Sequence, residues 1–287
     1  MLAAALYALN SPLSKLLLDF IPPVIMAGLL YIGAGIGMGT VSFIKKATKI
    51  PSSEASLTKK DLPYTLAMII LDIAAPIFLM LGLNATSAAN ASLLNNFEIV
   101  ATALIALVIF KEKISPRLWA GIIFVTLSCA LLSFENLTSF SFSYGSLFIL
   151  LATLCWGIEN NCTRKLSDKD PMQIVTIKGI FSGLGSLAIG LCVGERIDKI
   201  WGVFAVLLVG FVAYGLSIFF YVHAQRSLGA ARTSAYYAIA PFIGVLLSLI
   251  IFSDLPKFTF YIALALMAVG AFLSANDKPI FQRKSKK

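Results

Sequence analysis

The chain has 287 residues, 59% of them hydrophobic and 13% charged, with a mean hydropathy of +0.89 and a net charge of +9. Soluble domains carry about 25% charged residues, so this composition excludes an ordinary soluble domain and points to an integral membrane protein. Ten apolar stretches follow one another, each near the ~20 residues that cross a bilayer core.

The first span is expected over 2–18. Its start, MLAAALYALNSPLSKLLLDF, lacks a basic leader region and an A-x-A cleavage site, and reads as a span rather than a signal peptide. Asp19 to Pro22 leads into a second span over 23–44, which carries the run Gly33, Gly35, Gly37 and Gly39. The segment 45–60 is basic and reads as a loop or short surface helix. The third span, 63–84, holds Asp72 with Pro76 four residues on, where a proline frees a backbone carbonyl. The fourth, 87–110, holds Asn95, Glu98 and Thr102 on one helical face, since residues three and four apart are neighbours. Glu98 stands about 18 Å from the end of this span at 1.5 Å per residue, near the bilayer middle. A fifth span covers 116–134. The sixth, 144–163, carries Trp156, Glu159, Asn160 and Asn161. The seventh, 172–193, carries Lys178 and the small residues Gly179, Gly183, Gly185 and Gly190. The eighth, 199–223, ends in an aromatic group, Tyr214 and Phe219 to Tyr221, before His223. The ninth, 232–252, opens with Tyr236-Tyr237 ahead of Pro241, and the tenth covers 257–275. A basic tail, 277–287, completes the chain.

Short links between the first two spans, and between the third and fourth, require antiparallel neighbours. With the N-terminus inside, eighteen of the 23 basic residues fall on the cytoplasmic side and four outside, which predicts cytoplasmic N- and C-termini. The positive charge then faces anionic lipid, and nucleic acid is not an expected partner. Self-comparison places Asn84–Phe110 over Arg226–Phe252 at an offset of 142, and Tyr7, Lys15 and Pro22 over Trp156, Arg164 and Pro171 at 149. Lys111-Glu112 then meets Ser253-Asp254. Five spans per half is odd, so the two copies, 1–134 and 144–276, are expected to be inverted relative to each other, an architecture of secondary transporters with a midplane site.

These residues resemble the EamA-type ten-span members of the drug/metabolite transporter superfamily. That family carries a Trp-Gly-x-x-Asn-like start in each repeat, then a Lys and a Pro. Trp156-Gly157 with Asn160 matches in the second copy. The first reads Tyr7-Ala8-Leu9-Asn10, then Lys15 and Pro22-Pro23. Pro241 matches the mid-span proline of the ninth span, while Ile99 stands at the corresponding place in the fourth. The resemblance implies a multi-pass carrier in the inner (plasma) membrane that exports amino acids, related metabolites or toxic compounds.

A charged group at mid-bilayer costs at least ~2.5–3.5 kcal/mol, so Glu98, Glu159, Asp72 and Lys178 are candidate site residues. Glu98 reads either as a proton-titrating or amine-binding carboxylate, or as a structural bond to a neighbouring helix. Glu159 stands nearer the cytoplasmic end, where solvation competes with function, and Lys178 is its candidate partner. Asp72 reads as a hinge or polar site, or as an interhelical bond. Lys15 reads as a snorkelling residue. Tyr214, Phe219, Phe220, Tyr221, Tyr236 and Tyr237 are candidates for an aromatic wall, with an interfacial belt or helix packing as the alternative, and Trp156 is a further candidate site residue. His223 reads as an interface residue. The four cysteines, Cys129, Cys155, Cys162 and Cys192, have no zinc-like or CxxC spacing and read as core residues. No cofactor or metal is predicted. Neither glycine run has the strand–turn–helix context of a phosphate loop, so ATP-driven transport is unsupported. The expected function is secondary export of a small molecule by alternating access, with protons as a coupling partner. The alternatives are an uncoupled facilitator of the same fold and, with one histidine and no nucleophile elbow, a membrane-embedded enzyme.

Overall fold

The computed structural model describes residues 1–49, 54–111, 114–136, 141–197, 199–228, 233, 236–253 and 255–275. The basic tail expected over 277–287, the first residue of the span expected from 232, and Glu112 and Asp254 lie outside the described residues. What is described is helical except for one small ribbon, in which Phe134–Asn136 pairs antiparallel with Ser141–Phe142. Among the described residues, seven helical segments are long and apolar enough to cross a membrane. A further one, α8 (Tyr144–Leu166), has the length at 23 residues but carries Glu159, Arg164 and Lys165.

Two of the expected spans are each split into two helices. The first is α1 (Leu2–Ala8) and α2 (Asn10–Leu17), separated at Leu9. Pro12 explains the place: it has no amide proton for the Ala8 carbonyl four residues back. The fourth is α5 (Ala88–Leu94) and α6 (Phe97–Phe110), with Asn95 and Asn96 between them. There the ladder tightens, and the amides of Asn96, Glu98 and Ile99 bond three residues back, to Leu93, Asn95 and Asn96. The expected eighth span is continuous but irregular. Helix α10 (Ile200–Val209) passes through a widened π-type stretch, Gly210–Leu216, into α11 (Ser217–Leu228). In the ninth, α12 (Ala240–Phe252) begins with Pro241 in its first turn. The uninterrupted helices are α8 together with α3 (Pro23–Ala47), α4 (Leu62–Ala85), α7 (Pro116–Ser133), α9 (Pro171–Cys192) and α13 (Phe258–Ala275).

Polar side chains close the helix starts. Asp170, ahead of Pro171, accepts from the Met172 amide at 2.9 Å. Both carboxylate oxygens of Glu195, in the link after α9, accept from the first amides of α3, Val24 at 3.2 Å and Ile25 at 2.8 Å. A carboxylate there meets both the open donors and the positive end of the helix. Lys15 donates to the carbonyls of Leu83 and Asn84 at 2.7 and 3.2 Å, in the last turn of α4. Within the expected 45–60 loop, α3 continues to Ala47. The stretch from Glu54 docks on the α8–α9 turn: Asp170 donates to Ala55, Leu57 to Gln173, and Arg226 pairs with Glu54 at 2.6 Å.

Helices α3 and α9 pack along much of their length, as do α4 with α8, α7 with α13, α6 with α8, and α5 with α12. The α3–α9 seam is where the two glycine runs meet. A Cβ at Gly179 would lie 2.4 Å from the Gly35 amide nitrogen, and one at Gly35 would lie 2.6 Å from that of Ile180. Only glycine lets backbones approach this closely. One apolar cluster runs through the middle of the bundle, with Tyr31, Trp156 and Tyr214 among its members.

Candidate functional site

The polar side chains that composition forbids at the lipid face converge inside the bundle. Helix α9 supplies Lys178, whose Nζ lies 2.9 Å from Asp72 Oδ2 on α4 and 2.8 Å from Glu159 Oε1 on α8. All three are buried. Tyr31 of α3 donates its hydroxyl to Asp72 Oδ1 at 2.8 Å, and Thr163 donates to Glu159 Oε1. Lys178 thus contacts not only Glu159, the partner considered for it, but Asp72 as well. Pro76 has no amide for the Asp72 carbonyl, which leaves the α4 backbone open beside its own charged side chain.

Glu98 stands beside this triad. Asn160 Nδ2 donates to Glu98 Oε1 at 2.6 Å and reaches Thr102 Oγ1 at 3.5 Å. Asn161 instead braces the α6–α8 contact, donating to the carbonyls of Gly157 at 2.8 Å and Thr102 at 3.3 Å. The two neighbouring asparagines therefore have separate jobs, one toward the carboxylate and one toward backbone. Glu159 is 3% exposed, so the solvation expected for it is replaced by Lys178 and Thr163.

Aromatic rings complete the walls of a cavity of about 50 Å³, lined by Tyr7, Tyr31, Trp156, Tyr214, Tyr221 and Tyr237 together with Glu98, Glu159, Asn160 and Lys178. Tyr7 is the hub, with ring centroids 6.4 Å from Trp156, 5.8 Å from Tyr214 and 5.5 Å from Tyr237. Tyr31 lies 5.1 Å from Tyr214, and Tyr221 lies 4.9 Å from Tyr237. Asn10 donates to the Tyr214 hydroxyl at 3.0 Å. Liquid water occupies about 30 Å³ per molecule, so this space is nearly shut. A second, smaller space of about 20 Å³ adjoins it at the α5–α6 break, lined by Asn95, Asn96, Glu98, Thr102 and Pro241 among others. A roomier hollow of about 350 Å³ lies elsewhere, between Lys15, Asn90, Ser248 and Lys257, away from the three acids.

Of the candidate residues, Glu98, Glu159, Asn160, Asp72, Trp156, Tyr237 and Lys178 come together here, and Asn95 and Thr102 line the adjoining space. Tyr236 does not join them. It is 51% exposed and lines a shallow recess with Leu2 and Phe220. Sequence reasoning passed over Tyr31 and met Asn10 only within the family-like start of the first span. Thr163 was legible only as a face-mate of Glu159, and a tyrosine in an apolar helix carries no signal of its own. Cys129 is buried, but Cys155 and Cys162 are half-buried and Cys192 is exposed, so they are not uniformly core residues; all four are free thiols.

The profile of the EamA-like transporter family matches residues 1–134 and 143–276. The chain belongs to the EamA-like transporter family. Relatives with the same character are an uncharacterized transporter from Methanothermobacter thermautotrophicus, 24% identical over 94% of this chain and 83% of that one, and the uncharacterized transporter YyaM of Bacillus subtilis, 21% identical over 78% of this chain and 75% of its own. A solved crystal structure superposes with a TM-score of 0.68 at 17% identity, covering 95% of this chain and 93% of the other, which speaks to the fold alone. This EamA-like chain is therefore a multi-pass membrane transporter, and both of these relatives are named as transporters.

Proposed function

We propose that the chain is a secondary transporter that exports amino acids or related amine-bearing metabolites by alternating access, with a proton exchanging for the substrate amine at Glu98. One observation carries this reading. Asp72, Glu98 and Glu159 are gathered around a single ammonium, Lys178, which leaves a formal excess of two negative charges in a buried site. Such an excess is costly away from water, and a proton or a substrate cation relieves it. The aromatic walls suit the same ligand, because ring faces attract cations.

The proposed frame is ten spans in two inverted halves, 1–134 and 144–276, with both termini cytoplasmic. Several features support it. Helices α6 and α12 both end in a left-handed, non-glycine residue, Lys111 and Ser253, each with φ 52°, at positions paired by the self-alignment. Residues paired at the other offset behave alike too: Pro22 precedes α3 and Pro171 opens α9, while Tyr7 and Trp156 face each other across the cavity. Two pairs of equivalent helices meet, α3 with α9 and α7 with α13, which fits a twofold relation. Each of the three spans described as split or irregular brings a residue to the proposed midplane site: Tyr7 from the first, Glu98 from the fourth and Tyr214 from the eighth. Broken helices around a central site are the usual device of such carriers.

The test is flux in proteoliposomes: labelled amino acids, with and without a pH gradient, for the native chain and Glu98→Gln. Saturable flux, stimulated by the gradient and reduced about ten- to a hundredfold in the variant, is the expected result, since a charge-assisted bond is worth about 1.5–3 kcal/mol. Saturable flux indifferent to the gradient makes the protein an uncoupled facilitator, and no flux of any amino acid removes that substrate class.

A further inference from the structure

The space at the α5–α6 break has no role in the reading above. It measures about 20 Å³, room for one water-sized body and too little for a metabolite. Its wall contains two asparagines that are more than nine-tenths buried, at 6% exposure for Asn95 and 2% for Asn96. Among the described residues, Asn95 Oδ1 and both amide atoms of Asn96 have no hydrogen-bond partner. Buried amides left unpaired at this rate cost about 1–3 kcal/mol each and ask for a missing ligand. Because the Asn96 amide is bonded at neither end, it is free to turn its oxygen inward.

Several other groups at this spot are electron-rich, although Ile99 and Ala238 in the wall are apolar. Glu98 lines the same space, and only its Oε1 is taken up by Asn160. Pro241, opposite, has no amide for the Tyr237 carbonyl four residues back, and both residues line the space. The carbonyl end of α5 points at the break, and unwound carbonyls with helix C-termini are the groups that hold small cations in membrane carriers. The neighbouring charge excess has the sign that favours a cation.

We propose that the α5–α6 break is a binding site for one dehydrated alkali cation of sodium size, held by the side-chain oxygens of Asn95, Asn96 and Glu98. An ion there would lock the short helix α5 to α6 and fix the orientation of the Glu98 carboxylate that faces the central cavity.

The test needs no substrate and no flux, so its failure and that of the transport reading are separate events. Thermal unfolding of the purified full-length chain in detergent is followed against NaCl, with LiCl, KCl and choline chloride at matched ionic strength. A site that binds only the folded chain raises the melting temperature with a saturable dependence on the ion. The expected result is such a rise with Na⁺, absent with choline, and weakened about tenfold or more in apparent affinity in Glu98→Gln and Asn96→Leu. Asn95→Ala, which removes a ligand oxygen without adding bulk, is the variant to use if Asn96→Leu does not fold. No alkali-dependent rise in the native chain overturns the proposal and makes the pocket a water site. A rise that persists undiminished in folded Glu98→Gln and in the asparagine variant also overturns it, since the ion then binds elsewhere.

Discussion

At the scale of single residues, the decisive group is the one lysine among three acids. Lys178 bonds Asp72 and Glu159 simultaneously, and breaking a buried ion pair by removing one partner costs about 3–5 kcal/mol because a charge is left uncompensated. Lys178→Met should therefore lower the melting temperature of the detergent-purified protein markedly. Adding Glu159→Gln to Lys178→Met should recover part of the loss; an unchanged or further lowered melting temperature in the double variant contradicts the pairing. Much of this cluster was legible from cost alone. Glu98, Glu159, Asp72 and Lys178 each stood out as charges in apolar stretches, and their types restricted their partners. Tyr31 and Asn10 did not stand out, because an uncharged polar side chain in a span serves equally in packing, at the interface or in a site. What separates those roles is the neighbouring helix, which local sequence does not name.

At the scale of elements, the expected spans and the observed helices agree closely where the helix is continuous, as in α4, α7 and α13. They differ where the chain departs from α geometry inside an apolar run. The Asn95–Asn96 break lies in a stretch that hydropathy reads as one span, although asparagine is a weak helix former. The π-type stretch at Gly210–Leu216 has no pattern in sequence beyond its glycines. Packing seams, in contrast, were announced by the glycine runs of the second and seventh spans. Because a Cβ at Gly179 would press on the Gly35 backbone rather than on a yielding side chain, Gly179→Val should cost about 3 kcal/mol, the upper range for overpacking. Gly39→Ala, where the nearest neighbour is the Thr176 methyl at 3.3 Å, should be tolerated. Equal melting temperatures for the two variants would remove the seam from the account of stability.

At the scale of the whole molecule, the basic residues carry the orientation. In the proposed topology, Cys192, exposed at the end of α9, lies at the outer surface, and Cys162 lies toward the inner end of α8. In intact cells, a membrane-impermeant maleimide should label a variant that keeps only Cys192, and should not label one that keeps only Cys162 until the cells are opened. The reverse pattern inverts the proposed topology. The membrane class and the family were legible because they rest on many residues at once: total hydropathy and motifs spread over the two stretches that the family profile matches. The details of the site depend on a few distances and were not.

The Glu195 clasp has a kinematic consequence. Its carboxylate fastens the start of α3 to the link that leaves α9, and the glycine seam holds the same two helices backbone to backbone along their length. Two attachments at separated points remove both sliding and pivoting between a pair of rods. In the proposed alternating-access cycle, α3 and α9 are expected to travel as one piece, with the moving joints in the helices already interrupted. Spin labels on the exposed faces of α3 and α9 should keep one narrow distance distribution through the cycle, while a label on α5 changes its distance to either.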